Sequence, residues 1–280
     1  MTEKDVHGDV LWVWSYPAVS RELRDLFIRK SGLSDDTDSN VLQPFICSQF
    51  QKWWHYIFTI KTESAALPKV THVSLVLLTR DFNPEKYECL ASILTKLYTK
   101  TGNPASMLES YLSVITKGKC NSEDNGMFVV TEYDRRQAFT AACIRDIIAK
   151  FGIEVILLVT GMLLKKRIVL YHSSVEELLT VTRSLPAFVW HRQDWAMIYP
   201  YVLFGSPEMS EMKSHSHFVA GFRDASVENR PDLYDLFVNL STNEIVVATH
   251  AKDEVFHAVL PLSGQKECLF AVAHHGTSAL

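Results

Sequence analysis

Ile153-Glu154-Val155-Ile156-Leu157-Leu158-Val159-Thr160-Gly161-Met162-Leu163-Leu164, then Lys165-Lys166-Arg167, then Ile168-Val169-Leu170-Tyr171-His172, decides how this chain is read. The apolar run reads as a buried helix, and the basic step suits its C-terminal end, where the helix dipole favours cations. The β-branched run after it reads as a strand, and residues 175–185 as a second helix. The apolar run is only 12 residues long, with Glu154 inside it. It cannot cross roughly 30 Å of hydrocarbon. No glycine-rich phosphate loop or catalytic set accompanies this helix-strand-helix unit, so it reads as scaffold for a surface.

The same pattern continues on both sides. Residues 136–151 can form one helix that Gly152 ends, and strands are expected over 218–221, 236–240 and 245–248, the last two joined across Ser241-Thr242-Asn243-Glu244. Alternating helices and strands predict a largely parallel sheet with a hairpin at one edge.

Upstream, His7-Gly8-Asp9 signals a turn before the strand Val10-Leu11-Trp12-Val13-Trp14. Residues 1–6 are mostly polar and too few for a good apolar strand. The hairpin partner is therefore expected to be lost, or the strand to pair elsewhere. Val19, Leu23, Leu26, Phe27 and Lys30 repeat at helical period before Gly32. Asp35, Asp36 and Asp38 lie in a polar stretch without the spacing of a calcium loop, which reads as solvated loop. Strands are expected over 53–60 and 70–79, joined as a hairpin. Asn83-Pro84 opens a helix that Gly102 closes, and Pro104 opens another that Gly118 closes. This half reads as helices packed on a mostly antiparallel sheet. Residues 119–132, with Asn121-Ser122-Glu123-Asp124-Asn125-Gly126, read as a linker.

With 280 residues, 47% of them hydrophobic, the chain can build one large domain or two lobes. A net charge of −4 provides no global field for nucleic acid or an anionic membrane, so membrane association is expected through partners only. The first residues lack an apolar signal segment, and the expected compartment is the cytosol. Cys47, Cys89, Cys120, Cys143 and Cys268 are odd in number and never form C-x-x-C, which favours core thiols over disulfides or zinc. Asn239-Leu240-Ser241 matches a glycosylation acceptor by chance in such a setting.

Enzyme signatures are missing. There is no G-x-S-x-G, H-E-x-x-H or G-x-G-x-x-G, and Gly118-Lys119-Cys120 lacks the rest of a P-loop. His215, His217, His274 and His275 have no cysteine or carboxylate completing a cluster, and no metal or cofactor is expected. Asp232 and Asp235 read as turn residues rather than a catalytic pair. Trp190 and Trp195 flank charged residues, a composition that fits a protein-binding surface, with at least one ring in the core.

Residues 163–171, 185–190, 218–221 and 235–240, in that order and spacing, resemble the central region of the DENN family. Residues 10–17, 70–78 and Asp81-Phe82-Asn83-Pro84-Glu85-Lys86-Tyr87 resemble its upstream, longin-like part. The resemblance covers roughly residues 5–252. It implies an α/β, bilobal DENN module: a longin-like lobe over 1–118, a linker over 119–132 and an α/β central lobe over 133–252. Residues 253–280 do not resemble the family and are expected to be a poorly ordered tail. Family members carry an apolar strand before the turn at His7-Gly8 and a helical portion downstream, so sheet completion and a last subdomain are expected to be missing.

The resemblance also implies guanine-nucleotide exchange on a Rab-family small GTPase in late-endosomal and secretory vesicle traffic, without covalent chemistry. A groove between the lobes would grip the GTPase, with Trp12, Trp14, Arg192, Asp194 and Trp195 as contact candidates. A non-catalytic adaptor that binds a Rab or an endosomal recycling assembly is the alternative.

Overall fold

A computed structural model describes residues 1–34, 42–122, 126–192 and 194–255. The acidic loop over 35–41 and most of the tail expectation, over 256–280, lie outside the described residues, as do His274 and His275.

The first half is built on a five-stranded antiparallel sheet. Its strands are β1 (Thr2–Asp5), β2 (Val10–Trp12), β3 (Phe45–Phe50), β4 (Trp53–Lys61) and β5 (Val70–Thr79), in the order β2-β1-β5-β4-β3. Residues 1–6 thus correct the expectation drawn from them: β1 pairs antiparallel with both β2 and β5. Backbone pairing and turn chemistry outweigh the lack of apolar side chains. Asp5 Oδ1 accepts from the His7 and Asp9 N–H groups at 2.8 and 2.9 Å, folding the turn at Gly8.

Strand β3 was not expected, and the reason is local. It meets β4 through Gln51 and Lys52, both at positive φ (53° and 62°), a conformation usually signalled by glycine or asparagine. Neither residue marks a turn in the sequence. The β4–β5 hairpin forms as expected, in register from Trp54↔Thr79 to Lys61↔His72.

Helix α1 (Arg21–Lys30) meets the sheet through Phe27 against His55 of β4 and Lys30 against Ser48 of β3, and α2 (Pro84–Thr101) packs on β4 and β5. The starts at Asn83-Pro84 and Pro104 work as read, and Asn103 adds a cap to the second. Asn83 Oδ1 accepts from the Lys86 N–H, Asn103 Oδ1 from the Ala105 N–H at the start of α3 (Pro104–Lys117), and Gly102 and Gly118 close the two helices in the left-handed region. The interval read as a linker contains a two-stranded hairpin, β6 (Lys119–Ser122) and β7 (Gly126–Val129), which buries Cys120 and Phe128.

The single helix expected over 136–151 is two: α4 (Arg135–Thr140) and α5 (Ile144–Phe151). Long-range bonds compete at the break. The Arg183 guanidinium donates to Ala138 O, and Ser184 Oγ accepts from the Cys143 N–H at 2.9 Å. After a 3-10 turn over Gly152–Glu154 come α6 (Val155–Leu163), β8 (Arg167–Tyr171) and α7 (Val175–Ser184), the unit that decided the sequence reading. The remaining elements are β9 (Ile198–Tyr199), α8 (Pro207–Ser214), β10 (Phe218–Phe222), β11 (Leu236–Asn239) and β12 (Glu244–Val247).

The second sheet has the order β12-β11-β8-β10-β9, parallel except for the antiparallel edge β11–β12. This matches the expected parallel sheet with an edge hairpin. Central β8 buries Ile168, Val169 and Leu170 completely, as a parallel strand covered on both faces must. Two glycines permit close approaches. A Cβ on Gly161 would sit 3.1 Å from Leu236 Cδ1, and one on Gly221 would sit 2.3 Å from Pro200 O. One hydrophobic core runs without interruption from Leu26 and Phe27 of the first half to Leu236 and Val255 of the second, and a smaller one around Phe218 and Phe237 fills the far face of the second sheet.

Candidate functional site

The seam between the two halves is packed rather than open. At its centre, Lys30 at the end of α1 reaches across to Glu208 in α8. The contact, Nζ to Oε1, is 2.6 Å, and neither side chain is exposed. Lys30 Nζ also donates to Tyr201 O at 2.6 Å and to Ser48 Oγ. Glu208 Oε1 additionally receives Ser48 Oγ and His55 Nε2, each at 3.0 Å, while its Oε2 has no partner among the described residues.

Burial pushes the Glu208 carboxyl up, but the Lys30 ammonium and the His55 hydrogen bond outweigh it and hold the group below the usual carboxylate range. Burial keeps His55 below the ordinary imidazole range, so the ring is neutral and donates through Nε2. Nearby, burial pushes the Cys47 thiol up to about 12. A protonated thiol and a carboxylate gripped through Oε1 by Lys30, Ser48 and His55 make a structural bolt rather than a nucleophile and base.

A second cluster closes the seam beside α2. Phe82, Phe139 and Trp195 stack in near-parallel rings, with centroids 5.7 Å apart for Phe82–Phe139, 5.5 Å for Phe82–Trp195 and 4.8 Å for Phe139–Trp195. The Arg183 guanidinium lies 5.7 Å from the Phe82 centroid and grips Glu85 of α2 at 2.6 Å. The seam's rim adds Arg29 donating to Phe204 O at 3.1 Å and the Gln51 N–H donating to Glu211 Oε2 at 2.7 Å.

The contact candidates fall into separate places. Trp195 is 7% exposed and belongs to the aromatic stack, so in this structure it is core rather than surface. The Arg192 guanidinium donates to Met162 O at 2.8 Å and Leu163 O at 2.6 Å, closing the C-terminal end of α6. Asp194 accepts from the Ala196 N–H and folds its own turn. Trp12 and Trp14 lie together on the first half. Trp12 faces the Arg24 guanidinium at 5.6 Å, and Trp14 stacks on Tyr16 at 6.4 Å. They line a largely apolar cavity of about 430 Å³ with Leu23, Phe27, Leu75 and Met107.

Three further aromatics are exposed among the described residues. Tyr16 is 60% exposed and Trp53 39%, the latter under the Arg80 guanidinium at 4.8 Å; both border the same cavity. Trp190 is 43% exposed on the second half. In the sequence Trp53 reads as the start of an ordinary strand, and the sharp turn at Gln51-Lys52 brings it out to solvent.

The basic step is also accounted for. Lys165 takes the left-handed position after α6 (φ 53°), Lys166 pairs with Glu254, and Arg167 holds Asp235 at 2.7 Å. Burial opposes the Asp235 carboxylate, but Arg167 and His250 outweigh it and bring its pKa to about 2. Asp232 pairs with Arg230 at 2.8 Å, so the two aspartates do not face one another as an acid–base pair. Among the described residues no group of three histidine, cysteine or carboxylate side chains could hold a metal ion, and no helix is long and apolar enough to cross a membrane.

Residues 142–249 match the family model described as "Stabilization of polarity axis", and residues 74–191 that of "Transport protein Avl9". The chain is similar to DENN domain-containing protein 10 of Homo sapiens, 48% identical over 254 residues that make up 90% of this chain and 71% of the relative. The relative of that name from Danio rerio is 44% identical over 90% of this chain and 72% of its own length, and the one from Dictyostelium discoideum 37% identical over 90% and 72%. The two-sheet α/β architecture and these identities agree, and the chain belongs to the DENN domain-containing protein 10 family.

Proposed function

We propose that the chain is a regulator of a Rab-family small GTPase in late-endosomal and secretory traffic, acting as a guanine-nucleotide exchange factor. Residues 1–118 and 133–252 serve as two lobes of one binding body. The observation that carries this reading is the locked seam. An exchange factor breaks no covalent bond; it favours the nucleotide-free state of its partner over the loaded one. Such discrimination needs a surface that does not yield when the partner changes shape. The Lys30–Glu208 bolt and the Phe82–Phe139–Trp195 stack supply that stiffness.

The partner contacts are assigned to the rim rather than to a deep groove. Trp14 on the first lobe, with its neighbours Tyr16 and Trp53, offers large rings, the residue types that dominate protein–protein hot spots, and Asp194 on the second adds a charge. Trp12, Arg192 and Trp195 act behind them, holding the cavity wall, the end of α6 and the seam.

Release of a fluorescent guanine nucleotide from a panel of Rab proteins tests the proposal. Substoichiometric chain is expected to accelerate release from at least one Rab. Flat release across the panel, with retention of a nucleotide-loaded Rab in a pull-down, would overturn exchange in favour of an adaptor.

A further inference from the structure

A second cavity, of about 390 Å³, opens at the end of the second sheet where β8 and β10 begin. Three places supply its lining: Arg167 and Phe218, paired neighbours at the starts of those strands; Asp232 and Leu233, just before β11; and Lys213, His215 and Ser216, where the chain leaves α8. The acids here are already held. Asp235 is taken by Arg167 at 2.7 Å, and Asp232, the one acid in the lining, by Arg230 through two bonds of 2.8 Å. Lys213 acts on Asp232 from a distance but has no ion-pair partner among the described residues.

A further set of cations borders the first. His217 Nδ1 lies 3.3 Å from Ser216 Oγ. Burial, and then the Lys165 ammonium, keeps His217 below the ordinary imidazole range, with Arg192 and His215 adding to the effect and Asp194 opposing it. Lys165 also has no ion-pair partner among the described residues, and the Arg192 guanidinium meets carbonyl oxygens rather than a carboxylate. Two groups of positive charge therefore meet at Ser216-His217, one inside the cavity and one beside it.

We propose that this cavity binds a polyphosphorylated ring, the chemistry of an inositol phosphate, either free or as a lipid headgroup. Lys213 and the Ser216 hydroxyl hold one phosphate, and Lys165 with Arg192 holds another. A lone phosphate would use only one of the two groups, and the cavity has the size of a small-molecule site rather than of a single ion. Phe218 and Leu233 give the ring apolar surface to rest on. The whole-chain charge of −4 supplies no long-range pull, so recognition falls to these local charges. Residues 256–280 bring a single acidic side chain, Glu267, a poor match for two groups of cations.

The probes are inositol trisphosphate, read by calorimetry, and phosphatidylcholine vesicles carrying phosphatidylinositol bisphosphate, read by flotation. Saturable binding of the trisphosphate is expected, weakened at least about tenfold by Lys213→Met and by Lys165→Met with the melting temperature unchanged. Lys52→Met, which removes an exposed cation from the other lobe, is expected to leave it as it was. Binding to the vesicles as well assigns the lipid headgroup, and trisphosphate binding without vesicle binding assigns the free compound. The proposal is overturned if neither probe binds, if unphosphorylated inositol or a phosphoserine peptide binds as tightly as the trisphosphate, or if Lys213→Met leaves the affinity unchanged. It is also overturned if the trisphosphate binds only after Glu267→Gln, since the cavity would then serve the chain's own tail.

Discussion

Lys30 and Glu208 lie 178 positions apart in the chain and meet at 2.6 Å across the seam of the two lobes, both shut away from water. A charge so placed is stable only with its partner. Glu208→Gln leaves Lys30 buried without its counter-ion and is expected to cost about 3–5 kcal/mol, whereas the double change Lys30→Met with Glu208→Leu costs far less, because it removes both desolvation penalties. Urea unfolding of the two variants and the parent measures the difference.

Asp235 gives a pH signature. Its folded pKa of about 2 is below the ordinary carboxylate value of 3.8, so around pH 3 the folded chain binds fewer protons there than the unfolded one. Its contribution is complete above about pH 4 and is lost as the pH falls through about 2. Asp235→Asn is expected to lower stability at pH 7 by about 2 kcal/mol and to flatten the acid limb between those values. Thermal melts across that range, parent against variant, provide the check.

Gly221 and Gly118 separate two kinds of glycine. A Cβ at Gly221 meets backbone that cannot step aside, and Gly221→Ala is expected to cost about 3 kcal/mol by forcing β10 from Pro200. At Gly118 nothing lies within 4 Å and only the positive φ of 70° opposes a side chain, so Gly118→Ala costs about 1 kcal/mol. Chemical denaturation midpoints should rank them in that order.

Trp195 and Trp53 should split stability from binding. Trp195→Ala opens the aromatic stack and is expected to cost about 3–5 kcal/mol. Trp53→Ala removes a half-open ring, costs about 1 kcal/mol or less, and is expected to slow Rab nucleotide release by at least about tenfold. Melting temperature and release rate, measured on the same samples, distinguish the two effects.

Much of the frame was legible because its signals are local. Asn83-Pro84 with Gly102, and Pro104 with Gly118, mark helices through end signals that need no tertiary context. The run Ile168 to His172 reads as a strand for the same reason, and the strand observed is Arg167–Tyr171. What escaped depends on distant partners. Strand β1 is polar and held by pairing on both edges, and β3 follows a turn made by Gln51 and Lys52 against their usual preference. The helix over 136–151 breaks because Arg183 and Ser184 take its backbone groups. The seam was least legible of all: Lys30 reads as one position of a helical repeat and His55 as part of a strand, Ser48 and Glu208 carry no local signal, and only the fold assembles them. Of Trp190 and Trp195 at least one ring is expected in the core, and only the closure of Phe82 and Phe139 over the second shows which.

The most direct measurement is the affinity of the chain for one Rab in two states, nucleotide-free and loaded with GDP, by calorimetry or interferometry. A body that drives exchange should prefer the empty state strongly; about ten-thousandfold, or roughly 5.5 kcal/mol, would carry the equilibrium from one state to the other. Equal affinity for both states, however tight, would contradict exchange, because a ligand that does not discriminate shifts nothing.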